Sequence, residues 1–239
     1  MNENKKKTIA ILQSNYIPWK GYFDIIGLSD EFIFYDSCQY TKNDWRNRNL
    51  IKTSMGNLWL TIPVVNNSII SSNQKINETK VLNSHWRRKH WLTLNTYYAK
   101  SPYFKEYKPL FEDLYLNDNE CYLSKINYKF IKLICDILGI KTKLSFDTDF
   151  TLSEGKTQRL VDLVKQSQGT EYLSGPAAKN YINAKEFEKA NIKLTYISYD
   201  GYMEYSQLFP PFCHNVSIVD LIFNCGKDSV KYMKFYKKK

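Results

Sequence analysis

What this chain lacks narrows the field first. No apolar run approaches the roughly 18 residues needed to cross a bilayer, so no membrane span is expected. Residues 1–7 are polar and basic and lack the apolar centre of a signal peptide. The five cysteines (Cys38, Cys121, Cys135, Cys213, Cys225) are odd in number, widely spaced and without a CxxC pair. That argues against a disulfide frame or a zinc site and for reduced thiols in a cytoplasmic protein. No HExxH or facial-triad spacing argues for a metal. No GxGxxG fingerprint or P-loop is present, and no internal repeat or linker divides the chain.

What is present is enough for a sizeable core: 239 residues, 43% of them hydrophobic. The formal charge of +10 suggests nucleic acid, but Lys5–Lys7 and Lys237–Lys239 supply six of those charges, leaving +4 on the body. Lysine tails are ordinarily solvated ends, so only a mild attraction to anionic ligands remains. Aromatic content is high at 15%, with 19 tyrosines, a residue that serves binding surfaces because one end is apolar and the other hydrogen-bonds.

The apolar runs alternate between short and periodic. Thr8–Leu12 and Glu31–Tyr35 read as strands around a helix over Trp19–Leu28, entered near Pro18. Trp59–Val65 reads as a third strand and 66–80 as a loop. Ser84–Ala99, Tyr103–Tyr115 and Cys121–Leu138 read as helices, the last closed by Gly139. Further strands are expected at Leu144–Phe146, Glu171–Leu173 and Ile192–Tyr199, and helices at Thr157–Gln168, from Ala177 and at Val216–Asn224. The expectation is an α/β fold: an open, mostly parallel, Rossmann-like sheet in one domain over 1–239, with 84–139 as a central helical insertion.

Three loops follow expected strands and carry residues that make poor packing sense. They contain Gln13 and Asn15, Asp36 and Gln39, and Ser174-Gly175 with Lys179. In an open parallel sheet such loops converge on a crevice beyond the carboxyl ends of the strands. Lys20 follows the first loop. The segment Asp44–Asn49 adds Arg46 and Arg48, which could grip a diphosphate or carboxylate, and Trp45, which could stack on a base or sugar ring; the alternative is a surface strand. The cluster His85–Trp91 reads as a helix with Trp91, Leu94 and Tyr98 inward and its arginines solvated. His90, on the Trp side, is a candidate general base. His214 reads as structural.

At these residues the chain resembles the WbqC-like family. That family opens with Q-P-N-Y-[LI]-P-W-x-G-Y-F-D, here Gln13 to Asp24. It continues with D-D-V-Q-Y-T-K-x-x-W-R-N-R-N, here Asp36 to Asn49. Lys89–Trp91, Tyr172–Tyr181 and Ser217–Gly226 also match its motifs. Ser14 stands for the usual Pro, and Ser37-Cys38 for Asp-Val. A weaker similarity is to HUP-like nucleotidylyltransferase folds, whose HxGH is replaced here by Trp19-Lys20-Gly21-Tyr22.

The family resemblance implies a setting in bacterial O-antigen and other surface-polysaccharide assembly. With the amides, arginines and aromatics it suggests an enzyme acting on a dTDP- or UDP-linked amino sugar by acyl or aminoacyl transfer. On that reading Arg46, Arg48 and Lys20 hold the diphosphate, and Gln13, Asn15 and Gln39 orient hydroxyls or a donor carbonyl. Asp36 or His90 takes the proton of the attacking amine. ATP or an activated acyl or aminoacyl donor is the co-substrate this reading implies, with tRNA entering only as such a donor. The competing readings are a nucleic-acid or tRNA-binding module and a non-catalytic assembly factor for polysaccharide enzymes.

Overall fold

The computed structural model describes residues 6–65 and 73–238; the segment 66–72 and most of the lysine tails lie outside the described residues. In chain order the elements are β1 (Thr8–Leu12), α1 (Lys20–Gly27), β2 (Glu31–Phe34), β3 (Arg48–Thr53) and β4 (Gly56–Thr61). Three helices follow: α2 (His85–Tyr98), α3 (Phe104–Leu116) and α4 (Leu123–Ile137). The remainder alternates: β5 (Lys143–Phe146), α5 (Lys156–Gln166), β6 (Glu171–Ser174), α6 (Ala184–Lys189), β7 (Lys193–Tyr196) and α7 (Ile218–Cys225).

Five strands form one parallel sheet in the order β5-β2-β1-β6-β7, with Ala10 of β1 beside both Phe32 of β2 and Leu173 of β6. This is the α/β architecture expected from the sequence. The central strands are continuously apolar because both faces are covered. Ile9, Ile11, Ile33 and Tyr172 pack against Leu160, Val161 and Val164 of α5 and Phe187 of α6. On the other face Ala10, Phe32, Phe34 and Leu173 share a larger core with Phe23 and Ile26 of α1, Phe130 of α4 and Phe223 of α7. Each such side chain contributes about 1.5–3 kcal/mol by leaving water.

The chain winds outward from β1 through β2 to β5, then returns to the other side of β1 for β6 and β7. The loops after β1 and β6 therefore leave in opposite directions and open a crevice between them.

Some expectations change. The third strand does not join the sheet: β4 pairs antiparallel with β3 as a separate ribbon, with Thr53 opposite Gly56 across a two-residue turn. Gly56 has φ 101°, a conformation that favours glycine, and a turn this tight closes a hairpin locally before distant pairing can compete. The segment read as a surface strand becomes one only from Arg48. After β6 comes a 3₁₀ turn, Pro176–Asn180, and α6 starts later, where Asn183 caps it by accepting from Lys185 N. Arg87 is buried rather than solvated; it pairs with Asp118 at 3.2 Å and donates to the carbonyls of Leu114 and Glu120. Lys6 and Lys7, read as part of a free tail, pair with Glu171 and Glu31, each at 2.8 Å. Among the described residues no helix is long and apolar enough to cross a membrane.

Gly169 marks the closest approach between α5 and the sheet. A Cβ there would lie 2.3 Å from Ile9 Cγ1 and 2.8 Å from Val164 Cγ1. Gly169→Ala is expected to cost about 1–3 kcal/mol through overpacking, read as a lower urea midpoint at unchanged slope. An unchanged midpoint would show that this turn has room.

Candidate functional site

The loop between β1 and α1 has a shape its own residues would not choose. Ile17, a β-branched residue, sits at φ 35°, a conformation held only where the surroundings dictate it. Asn49 of β3 supplies part of that hold, its Nδ2 donating to the carbonyls of Tyr16 and Ile17, each at 3.1 Å. Ser217, which caps α7, donates its hydroxyl to Ile17 O at 2.6 Å. From β2, Asp36 accepts from Ser14 N at 2.8 Å.

Beyond the ends of β1 and β2 this loop borders a depression of about 790 Å³. Gln13 and Gln39 line it with Tyr35, Cys38 and Tyr181; the far wall is the first turn of α5, with Lys156, Thr157 and Arg159. Lys75 stands at the rim, 3.4 Å from Glu78. The lining thus holds three cations and no carboxylate. Helix α5 begins at Gly155, at φ 88°, with no capping side chain and no acidic residue in its first turn. Helix starts normally carry Asp or Glu to balance the positive end of the dipole. Here that end meets Lys156 and Arg159 instead, so positive charge lies on positive charge. Arg159 is aimed by two contacts, Nε to Ser153 O at 2.8 Å and Nη1 to Tyr35 OH at 3.1 Å.

The residues singled out from the sequence divide into three groups. Gln13 and Gln39 reach this crevice. Asn15 and Trp45 line a separate depression between the start of α1 and the β3–β4 ribbon. Arg46 sits between the two: its guanidinium donates to Asn15 Oδ1, and Asp44 lies 3.4 Å away. Burial pushes the Cys38 thiol up to about 11, against its Gln13 hydrogen bond and, more weakly, the Arg46 charge. Cys38 is therefore a neutral thiol rather than a nucleophile.

The remaining candidates do not line the crevice. Asp36 is buried, and desolvation raises its carboxyl against the hydrogen bonds from Ser124 and Ser14. Its role as proton acceptor gives way to that of a clamp on the first loop. His90 is buried too, bonded through Nδ1 to Tyr16 OH at 3.0 Å and through the ring to the main chain of Thr61. Neither residue lines the crevice. Lys20 points elsewhere: its ammonium lies 4.5 Å from the Tyr202 ring centre and 5.5 Å from that of Tyr205, and burial lowers it to about 8. Arg48 covers the Trp59 ring at 4.3 Å. Ser174 is buried under Tyr172, and a Cβ at Gly175 would have nothing nearer than Tyr199 Oη at 3.7 Å. Lys179 lies over the Tyr196 ring, on the exposed 3₁₀ turn. Lys156 and Arg159 were missed, although a glycine before a helix that opens with two cations and no acid is legible as a signal.

The buried imidazole of His90 has a pH consequence. Burial lowers it to about 4 from an ordinary value of 6.5. Between those values the unfolded chain binds the proton and the folded one does not, so stability falls as pH drops through that window. The full effect is on the order of 3 kcal/mol. His90→Gln is expected to flatten the dependence of the urea midpoint between pH 6.5 and 4 relative to the parent. Parallel pH curves would show that His90 takes up its proton freely in the folded state.

A protein of Mycobacterium tuberculosis described as uncharacterized, Rv1507c, is 44% identical over 229 residues, covering 96% of this chain and 98% of its own. No solved structure matches the chain. The description "WbqC-like protein family" matches residues 13–232, which span the first loop, the crevice and the α7 anchor. The chain belongs to the WbqC-like protein family.

Proposed function

We propose that this protein is a cytoplasmic enzyme of surface-polysaccharide assembly that takes a nucleotide-linked amino sugar into the crevice and transfers an acyl or aminoacyl group to its amine. The observation that carries the reading is the uncapped start of α5, with Lys156, Arg159 and Lys75 around a depression free of carboxylates. A diphosphate satisfies all of these at once, its oxygens accepting from the first N–H groups of the helix and from the guanidinium. Tyr35 and Tyr181 offer the aromatic surface a nucleoside requires, and Gln13 and Gln39 bring amides to the same space.

On this reading the sugar nitrogen attacks the carbonyl carbon of an activated donor, such as an acyl-adenylate made with ATP. A C–N bond forms, the C–O bond to the leaving group breaks, and the ammonium proton leaves to solvent. Neither Asp36 nor His90 opens onto the crevice to take that proton. The protein therefore contributes chiefly by holding the two substrates together, an effect large enough to carry much of the rate.

The test is calorimetric titration with UDP- and dTDP-linked amino sugars, followed by mass spectrometry with a panel of activated acyl donors. Lys156→Ala and Arg159→Ala are each expected to weaken sugar-nucleotide binding about 10- to 100-fold, the worth of one charge-assisted hydrogen bond. Lys156 is exposed, so Lys156→Ala should keep the parent's melting temperature, whereas Arg159→Ala also loses its bonds to Ser153 and Tyr35 and is read against its own melting curve. Absence of binding to every sugar nucleotide overturns the proposal, and unchanged affinity in the double variant removes the ligand from this crevice.

A further inference from the structure

The second depression, between the start of α1 and the β3–β4 ribbon, is a built feature of about 400 Å³. That volume lies within the range of small-molecule sites. Its lining includes Asn15, Trp19, Trp45, Asn49, Leu50 and Asn215. It carries no charged side chain. The two arginines nearby are committed elsewhere, Arg46 to Asn15 and Asp44, and Arg48 to the face of Trp59 and the carbonyl of Asn43.

Trp45 is the residue that packing does not explain. Its side chain is 43% exposed, yet it is backed on one side: Trp59 lies against it, tilted by 39° with ring centres 5.4 Å apart, and Arg48 covers Trp59 in turn. Burying indole surface normally stabilises a fold, so an indole kept rigid with one face open is a plate prepared for something else. Trp19, across the depression, is fixed edge-on by Tyr199 and Tyr202 at 4.8 and 5.8 Å.

The amides are partitioned in the same sense. Asn49 is fully used, donating to Tyr16 and Ile17 and accepting from Leu50 N. Asn15 spends its Oδ1 on Arg46, and its Nδ2 makes no hydrogen bond among the described residues. Asn215 makes no side-chain hydrogen bond among them either. One aromatic face and two amides with unspent donors and acceptors, in a pocket without formal charge, suit a neutral polyhydroxylated ring. The C–H groups on one face of a pyranose carry slight positive charge and match the negative face of an indole. Its hydroxyls both donate and accept, as primary amides do. A nucleotide fits less well, since nothing lining the depression would neutralise its phosphate.

We propose that this depression is a carbohydrate subsite, distinct from the crevice, which takes one neutral pyranose ring on Trp45 with its hydroxyls on Asn15 and Asn215. It does not require the crevice to bind a sugar nucleotide, although Arg46 holds the Asn15 amide. A second sugar held here would be an acceptor or a neighbouring residue of a glycan rather than the nucleotide-linked one.

Tryptophan fluorescence and saturation-transfer NMR with methyl glycosides of hexoses and N-acetylhexosamines test the proposal. At least one glycoside should bind saturably in the millimolar range. Trp45→Ala should weaken it about tenfold or more, and Asn15→Ala should weaken it as well. Trp45→Phe, which keeps a smaller plate, should retain part of the affinity. Near-ultraviolet circular dichroism verifies that each variant is folded. Excess uridine diphosphate should leave the glycoside bound. Three results overturn the inference: no glycoside binds, Trp45→Ala binds like the parent, or uridine diphosphate displaces the sugar and so places it in the crevice. Binding of adenosine or uridine in place of glycosides overturns it equally.

Discussion

The main chain of residues 14–17 depends on side chains that arrive from far along the sequence. Asp36 holds Ser14 N, Asn49 holds the carbonyls of Tyr16 and Ile17, and Ser217 reaches Ile17 across 200 positions. Each is a hydrogen bond made in a dry interior, where leaving the partner unmade would cost about 1–3 kcal/mol. Together they hold a β-branched residue at a positive φ, a state of order 1–3 kcal/mol above its ordinary conformations. The rest of the site follows from this loop. One side of it forms the wall of the crevice and carries Gln13. The other carries Asn15 toward the ribbon, and Trp45 O accepts from Tyr16 N at 3.0 Å, tying the ribbon's entry to the same peptide.

The family motifs acquire a physical reason in that arrangement. The first, Gln13 to Asp24, is the strained loop and the helix it launches; Gly21 is required there because a Cβ would lie 2.3 Å from the Trp19 indole. The second, Asp36 to Asn49, contributes the clamp at its beginning and the two-pronged amide at its end. The last, Ser217 to Gly226, contributes the hydroxyl hook and Asp220, which accepts from Tyr98 and Tyr205 in the interior. Ser14 fits the clamp well: its N–H, which a proline would lack, donates to Asp36, and its hydroxyl accepts from Asn127 Nδ2 at 3.1 Å. These stretches lie far apart in the chain because they are anchors for one another.

Charge is distributed to leave one region unbalanced. Several cations are matched: Lys7 with Glu31, Arg87 with Asp118, and Lys20 boxed by tyrosines beside Asp24. At the start of α5 the cations and the helix dipole point the same way, with no acid among the crevice residues to answer them. Lys156 and Arg159 there have no carboxylate partner among the described residues, and it is this local excess of positive charge that the proposed function uses.

The sequence by itself determined the alternation of strands and helices, because covered parallel strands must be continuously apolar and surface helices must carry a stripe. Thr8–Leu12 and Glu31–Phe34 are legible for that reason, and so is the gathering of polar loops at their ends. Tertiary structure alone decided which polar residues are tools and which are fasteners. Gln13 and Asn15 are two residues apart and of the same chemistry, yet they open onto different depressions. Asp36 and His90 have the side chains of catalysts and the burial of core residues. Lys156 and Arg159 look like ordinary solvated helix residues until the fold sets their turn over the strand ends. Side-chain type reports what a group can do, but whether water, a carbonyl or a ligand meets it depends on neighbours contributed by distant parts of the chain, and no local pattern encodes those.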